Sequence, residues 1–444
     1  MAYDLSKIIK RDGRVVPFKR EKIVFAIYRA AVAVGGRNRK LAEAVTDDVV
    51  NMLKRQNTGS TYPTVEEVQD IVEKCLIERG HAKTAKAYII YRYEHELKRR
   101  GKDSLTYSGD NIPYRKLWEA LAWAVDHNCS TIQALNTYVR QGQLATLIQA
   151  SENFYQTELA NAFAKIEERI QDIRLLIVAG PSASGKTTTL HKLASLLKNL
   201  GKRFITLEID NYFFDLEQHP QDPWGDYDFE TPQALDLELI KQHLQELLEG
   251  HTIKAPHYDF KTGKRTLNAK SLSLPGDGLI LIDSLHGLYP EMTAGIDDKK
   301  KFRLYIETLA QIKDHNHQFV RWADLRLLRR MVRDLNFRNY NPTQTILHWY
   351  HVRRAELRYI ILRLKSADAI VNTWLAYELP FLKNRLAPFI KDFLKRYQNQ
   401  PDFEDALQRA TRIAALFKEI LATSDESQIP PSSLFREFIG GQRL

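Results

Sequence analysis

Gly180-Pro-Ser-Ala-Ser-Gly-Lys-Thr187 is built from residue types that suit one task, holding a chain of phosphates. Its glycines let the backbone turn so that successive N–H groups face phosphate oxygens at the positive end of a helix. Gly180, Ser182, Ala183, Ser184, Gly185, Lys186, Thr187 and Thr188 would form that cradle. Lys186 would reach the β- and γ-phosphates, and the Thr187 hydroxyl would coordinate Mg²⁺. Two carboxylates follow apolar runs downstream. Asp210 ends Arg203-Phe-Ile-Thr-Leu-Glu-Ile-Asp, and Asp283 follows Gly278-Leu-Ile-Leu-Ile282. The first could accept a proton from a substrate hydroxyl beside the terminal phosphate, and the second could hold Mg²⁺ through water. Taken alone, Asp210 would serve equally well as a helix cap; beside the phosphate-binding loop it reads as chemistry.

Arginines supply the other half of that chemistry. Arg326, Arg329/Arg330 and Arg333 recur at i, i+3/i+4 and i+7, on one helical face, with Arg321 and Arg338 flanking them. Guanidinium forks match phosphate oxygens and offset charge during phosphoryl transfer. Without the loop, the same stretch would read as a solvated basic helix or a nucleic-acid contact.

These groups need a rigid frame, and the pattern of apolar runs describes one. Ile173–Val178, Arg203–Glu208 and Leu279–Ile282 read as buried strands, and Thr188–Leu197 as the helix after the loop. Strands alternate with helices over 172–385, which predicts an α/β fold with a mainly parallel sheet and its ligand crevice at the strands' carboxyl ends. Residues 112–170 read as an α-helical connector. Arg385–Leu444 returns to helix, broken at Pro430-Pro431. Residues 1–100 form a mostly α unit. It opens with a hairpin over Lys7–Phe18 that turns at Asp12-Gly13, and helices follow over Lys22–Val34, Lys40–Arg55, Thr64–Arg79 and His81–Arg99. Thr64 with Glu67 three residues on is a capping-box pattern. Gly101–Asn111 is a polar, turn-rich linker. The expected domains are therefore 1–100, 112–170, 171–385 and 386–444.

The 444 residues suffice for two or three domains at roughly 150 residues each. With 44% hydrophobic and 27% charged residues, the composition excludes a disordered or fibrous chain. No apolar run approaches the ~20 residues that cross a bilayer. The opening Met1-Ala-Tyr-Asp runs into charged residues rather than a signal-peptide pattern. Cys75 and Cys129 are too few for a disulfide framework and lack metal-ligand spacing. A cytoplasmic protein with no membrane partner is expected. The net charge of +10 suits polyanions, nucleotide phosphates among them.

From about Ile173 to Lys383 the sequence resembles uridine kinases and their relatives, the phosphoribulokinases and pantothenate kinases. The motifs run in that family's order: the loop; Asp210-Asn-Tyr-Phe213; Tyr227-Asp-Phe-Glu-Thr-Pro-Gln-Ala-Leu-Asp236; Pro256-His-Tyr-Asp-Phe260 with Arg265; Leu281-Ile-Asp283; and Arg326-Leu-Leu-Arg-Arg-Met-Val-Arg-Asp334. The resemblance implies ATP and Mg²⁺ as cofactors and Asp210 as the catalytic base. Arg330, Arg333 and Arg338 would clamp the transferring group, and Tyr212, Glu230, Tyr258, Phe260 and Arg265 would shape the acceptor site. Three positions depart from the family pattern. The histidine expected after Tyr-Asp-Phe is replaced by Lys261-Thr-Gly-Lys264, a ribose-binding aspartate aligns with Glu230, and the second lid-end arginine becomes Tyr340.

Residues 7–98 resemble the ATP-cone, a nucleotide-sensing module, through Ile9-Lys-Arg-Asp-Gly-Arg14, Phe18, Lys22-Ile23, Thr64 and Tyr91-Arg-Tyr93. This implies that Lys10, Arg11 and Lys22, with Thr64, bind an effector such as ATP or dATP, and that the chain forms a homo-oligomer. Ile429–Gly441 resembles a tail found in larger uridine kinase-like proteins. Its Leu434, Phe435 and Phe438 would pack either on this chain or on another subunit.

The reading is a phosphotransferase acting on a small-molecule hydroxyl, most simply the 5′-hydroxyl of a nucleoside such as uridine or cytidine. A sugar phosphate or other alcohol as acceptor, a non-enzymatic ATP/dATP sensor and a nucleic-acid-stimulated ATPase are the alternatives. No nucleic-acid-binding module is recognisable for the last.

Overall fold

The computed structural model describes residues 5–9, 15–36, 38–55, 62–88, 112–221, 227–338, 340–398, 400 and 403–443, which fall into two compact units. The first is drawn mainly from residues 1–107. Its strands β1 (Lys7–Ile9) and β2 (Val15–Pro17) pair antiparallel, Ile8 opposite Val16, as a hairpin requires. The turn at Asp12-Gly13 lies outside the described residues, as do Lys10 and Arg11. Helices α1 (Arg20–Val32), α2 (Arg39–Arg55) and α3 (Val65–Glu78) follow, and helix resumes over 82–88. Ile23, Ile27, Val45, Val49, Leu53, Val72 and Leu76 recur at helical spacing and fill one core. Thr64 caps α3 with a full capping box: its hydroxyl accepts from the Glu67 N–H (3.2 Å) and donates to Glu67 Oε2 (2.7 Å).

The second unit begins with helices α4 (Tyr114–Asp126), α5 (Ile132–Arg140) and α6 (Leu144–Glu168). Strand β3 (Leu175–Ala179), helix α7 (Lys186–Asn199), strand β4 (Phe204–Glu208) and helix α8 (Leu237–Leu248) come next. They are followed by β5 (Thr252–Asp259), β6 (Lys264–Ser273), β7 (Leu279–Ser284) and β8 (Lys301–Glu307). The chain then runs through α9 (Trp322–Phe337), α10 (Pro342–Ala355), β9 (Ala369–Asn372), α11 (Glu378–Tyr397), α12 (Glu404–Glu419) and the short α13 (Arg436–Ile439).

Five of these strands form a sheet of order β4-β7-β3-β8-β9, parallel at every pairing. All five residues of β3 are buried, because helices cover both faces of the sheet. The two-residue period sorts its side chains cleanly. Leu176 and Val178 enter one core, shared with α6, α7, α9 and α11. Leu175, Ile177 and Ala179 enter the other, shared with α8 and β5. The antiparallel pair β5–β6 was not legible in the sequence, since β6 is largely exposed and polar and buries no alternating face.

The first core also takes in Leu147, Tyr155 and Ile166 from α6, and Ile413, Phe417, Leu434, Phe435 and Phe438 from beyond residue 400. The three tail side chains are thus fully buried within this chain. The expected C-terminal helix is interrupted earlier than Pro430: α12 stops at Glu419, and the chain runs without helix to the one-turn α13.

The expected arginine face of α9 is divided. Arg326 and Arg329 are buried and serve the fold. Arg326 Nη1 and Nη2 bind the Glu356 carboxylate (2.5 and 3.0 Å), and Nη1 also bonds the Ser182 carbonyl (3.1 Å). Arg329 binds Glu378 in bidentate fashion, its Nε on Oε2 at 2.7 Å, and reaches the Thr373 carbonyl (2.7 Å). A buried pair tolerates poorly the loss of one partner, because the other charge is left uncompensated. Glu378→Ala should therefore cost about 3–5 kcal/mol in chemical denaturation. The double change Arg329→Met with Glu378→Leu should recover most of that loss; a double variant as unstable as the single one would contradict this account.

Candidate active site

The phosphate loop leaves the carboxyl end of β3 at the centre of the sheet. It is packed so closely that a Cβ on Gly180 would lie 2.2 Å from the Ile306 carbonyl oxygen of neighbouring β8. Gly185, the N-cap of α7, sits at φ +88°, in the left-handed region glycine favours. Ala183 also has positive φ (+57°), a strained conformation for a residue with a side chain. Arg326 fixes the Ser182 carbonyl (3.1 Å) and the Thr373 hydroxyl fixes the Ser184 carbonyl (2.6 Å). These bonds hold two loop carbonyls in place, which fixes the backbone of the turn. Lys186 Nζ lies against the loop, donating to the Pro181 carbonyl (3.2 Å).

Parallel register brings the carboxylates to the same end. Asp283 stands opposite Val178 of β3 and Glu208 of β4, and Asp210 lies on the turn two residues past Glu208. The Thr187 hydroxyl donates to Asp283 Oδ2 (2.8 Å). This hydroxyl–carboxylate pair is a set of hard oxygen donors suited to Mg²⁺. Among the described residues no group of three or more His, Cys, Asp or Glu gathers at metal-binding distance, so most ligands of such an ion would be phosphate and water oxygens. Asp210 keeps a solvent-accessible face on the crevice, yet its carboxyl is pushed up to about 6. Enclosure by the crevice walls is the main cause and the Asp283 charge the second, with Lys186 and Arg338 pulling the other way.

Across the crevice, α9 presents three guanidinium groups around buried Asp334: Arg330 Nε at 3.4 Å, Arg333 Nη2 at 3.2 Å and Arg338 Nη1 at 3.7 Å. Three cations share this carboxylate, and the surplus shows on Arg333. Burial, with Arg338 and Arg330 beside it, pulls its guanidinium down to about 10. Arg330 also bonds Ser182 Oγ (3.1 Å) and Glu230 Oε1 (3.0 Å), tying α9 to the loop and to the segment that carries Glu230. Burial works against the Glu230 charge, but Arg330 and His348 outweigh it and hold the carboxyl well below its usual range.

Aromatic rings form a wall beyond Asp210. Phe213 packs against Tyr258 (5.5 Å between centroids), and Phe260, exposed at the rim, packs against Tyr258 (5.0 Å). The Tyr258 hydroxyl is buried without a hydrogen-bond partner.

Three expected ligand-binding residues are placed otherwise. Tyr212 is wholly buried and spends its hydroxyl on His243 Nδ1 (2.8 Å). Arg265 is committed to Asp236 (2.8 Å), the N-cap of α8, and so anchors the β5–β6 hairpin. In the first unit, the Thr64 hydroxyl is used up in its capping box, whereas Lys22 is exposed. Two residues at the site carried no recognisable motif. His286 follows Asp283 by three residues; it is buried, and neither ring nitrogen completes a hydrogen bond of normal geometry. Burial foremost holds its imidazole neutral, pulled down to about 4. His348, on α10, lies 3.8 Å from Glu230. A histidine three residues past a strand-end acid was the one signal available.

Two family models match the chain: the ATP cone domain over residues 6–97 and the Phosphoribulokinase / Uridine kinase family over residues 175–376. A uridine kinase of Deinococcus deserti is 28% identical over 195 residues, 44% of this chain and 84% of that protein. Uridine-cytidine kinase A of Dictyostelium discoideum is 32% identical over 197 residues, 44% of this chain and 35% of that protein. The vitamin B12-dependent ribonucleoside-diphosphate reductase of Thermoplasma acidophilum is 37% identical over 111 residues, 24% of this chain and 14% of that protein. A solved structure of a possible uridine kinase from Bacillus stearothermophilus superposes with a TM-score of 0.34 at 16% identity, covering 48% of this chain and all of that one. Among the described residues no helix is long and apolar enough to cross a membrane. Residues 175–376 are thus a kinase domain of the phosphoribulokinase/uridine kinase family, in a chain whose residues 6–97 are an ATP cone.

Proposed function

We propose that this phosphotransferase moves the γ-phosphoryl group of ATP, with Mg²⁺, to the 5′-hydroxyl of a nucleoside, uridine or cytidine being the natural candidates. The observation that carries this reading is Asp210, poised between the Thr187–Asp283 pair and the arginines of α9 at the mouth of the phosphate loop. Bound Mg²⁺ would offset charge on the phosphates. The chain's own groups do the rest. Loop amides and Lys186 hold the phosphates, and Asp210 accepts the acceptor's proton. Arg330, Arg333 and Arg338 face the charge that builds up on the transferring group. Glu230, Tyr258 and Phe260 hold the acceptor. Curated relatives named uridine kinase and uridine-cytidine kinase support the nucleoside.

Regulation would come from the cone, with Lys22, Lys10 and Arg11 taking an ATP or dATP effector and changing the assembly of a homo-oligomer. We divide the chain accordingly into a cone within 1–100, a helical connector at 112–170, the kinase region at 171–385 and a C-terminal extension at 386–444. A second reading places a phosphorylated sugar in the acceptor site. It is favoured by the positive charge of Lys186 and Arg363, both of which act on the buried His286 ring.

ATP-to-ADP turnover with Mg²⁺, measured against nucleosides, sugar phosphates and other alcohols, decides between them. Nucleoside-dependent turnover should fall by about 10²–10⁴ in Asp210→Asn and be lost in Lys186→Ala. Turnover confined to sugar phosphates would select the second reading. No turnover with any acceptor, beside an ATP-dependent change in particle size, would leave only a sensor.

The raised carboxyl of Asp210 fixes the pH dependence. The base is carboxylate above about pH 6 and protonated below it, so kcat/KM should fall on an acid limb near that value. Its stability effect has the opposite sense. Because the folded-state value lies above the unfolded one, the ionised group destabilises the fold above about pH 6, and the penalty fades as pH falls through that value towards 3.8. Asp210→Asn should therefore raise Tm at pH 8 and lose that gain near pH 4. A Tm difference independent of pH would count against the assignment. For the cone, light scattering should detect an ATP- or dATP-dependent change in mass that Lys22→Ala weakens.

A further inference from the structure

The end of the chain lies on the phosphate loop. Glu437, in α13, places its carboxylate over the first turn of α7. There Oε2 accepts from the Thr188 N–H (3.1 Å) and from the Thr188 hydroxyl (2.5 Å). Gln442 Nε2 donates to the same hydroxyl (2.8 Å). Leu434 seals the loop from above, so near that a Cβ on Gly185 would meet its Cδ1 at 2.6 Å.

The contact is built into the fold. The Ser433 hydroxyl donates to Glu152 on α6 (2.6 Å), which Tyr377 also binds (2.7 Å). On the other side, Asn336 of the lid helix α9 donates to the Phe438 carbonyl (3.0 Å). The segment thus straps loop to lid.

A carboxylate on a helix N-terminal amide is an anion in an anion site. In a loop of this kind Lys186 serves the β- and γ-phosphates and Thr187 the metal that bridges them, while loop amides cradle the α- and β-phosphates. The amide one residue further into the helix, that of Thr188, is the natural partner of the α-phosphate. We propose that Glu437 holds the place of the donor nucleotide's α-phosphate, so that the donor binds only as the strap of residues 433–442 lets go of Thr188. This rests on the reading of the loop as the donor site. Two anions cannot share one N–H without repulsion, so each donor molecule displaces a carboxylate before it is seated. The strap is also bonded to α9 through Asn336, so its release breaks that one contact with the helix that carries Arg330 and Arg333.

Nucleotide binding to the full chain tests this, measured calorimetrically with MgATP and MgADP on wild type, Glu437→Gln, Gln442→Ala and Lys186→Ala. Glutamine keeps the shape and an acceptor oxygen but removes the charge. Glu437→Gln should bind both nucleotides about tenfold more tightly, within the roughly 5–150-fold range of a coupling between two ligands. Gln442→Ala should bind them modestly more tightly. Amide exchange over 433–442 should quicken in wild type when MgATP is added. Unchanged or weaker binding by Glu437→Gln, or slower exchange of the segment with MgATP, would overturn the proposal while leaving the donor site intact. Wild-type binding that survives Lys186→Ala would instead overturn the donor-site reading, and the proposal with it.

Discussion

The arrangement depends on one close approach. The backbone at Gly180 lies so near the Ile306 carbonyl that no side chain fits between them. That proximity exists because β3 runs between β7 and β8, buried on both faces, and the loop must leave the sheet where its neighbours diverge. Ligands of open parallel sheets bind at such a point, outside the carboxyl ends of the strands. Register carries the same order sideways. Asp283 and Asp210 reach the crevice because β7 and β4 are in step with β3, not because either stands near the loop in sequence.

Charge is distributed on the same plan. On α9, consecutive arginines have opposite tasks. Arg326 and Arg329 are neutralised by Glu356 and Glu378 and lock the helix into the core. Arg330 and Arg333, on the adjoining face, share Asp334 with Arg338 and keep positive charge in excess over the crevice. A helix that borders the crevice gains from this division, since its buried pairs hold it still while three guanidinium groups gather around Asp334 on its other face.

Much of this was legible from residue types alone. The loop, its strand and the two acids each carry a local pattern, and the strands and helices around them repeat with periods that burial imposes. The division of the α9 arginines was not legible, because i, i+3 and i+4 spacing groups a broad face without saying which part of it meets Glu378 at a distance of 49 residues. Arg265 and Tyr212 were misplaced for a similar reason. Their partners Asp236 and His243 come from another element, and nothing in either local sequence announces the pairing. The β5–β6 hairpin escaped because its polar, exposed second strand buries too little apolar surface to show alternation.

The hydrogen bond from Thr188 to Glu437 joins residues 249 positions apart. At about 5–20 residues per second of synthesis, roughly 10–50 s separate the appearance of the two groups. Through that interval, helix α7 has its first-turn amide, and Gly185 its bare α-carbon, without the partners that later cover them. The cradle itself needs Ile306, Arg326 and Thr373, so a nascent chain would present it only once β9 is made and before the strap is; in that window the order of synthesis gives the ligand the first claim on the loop and the carboxylate the second.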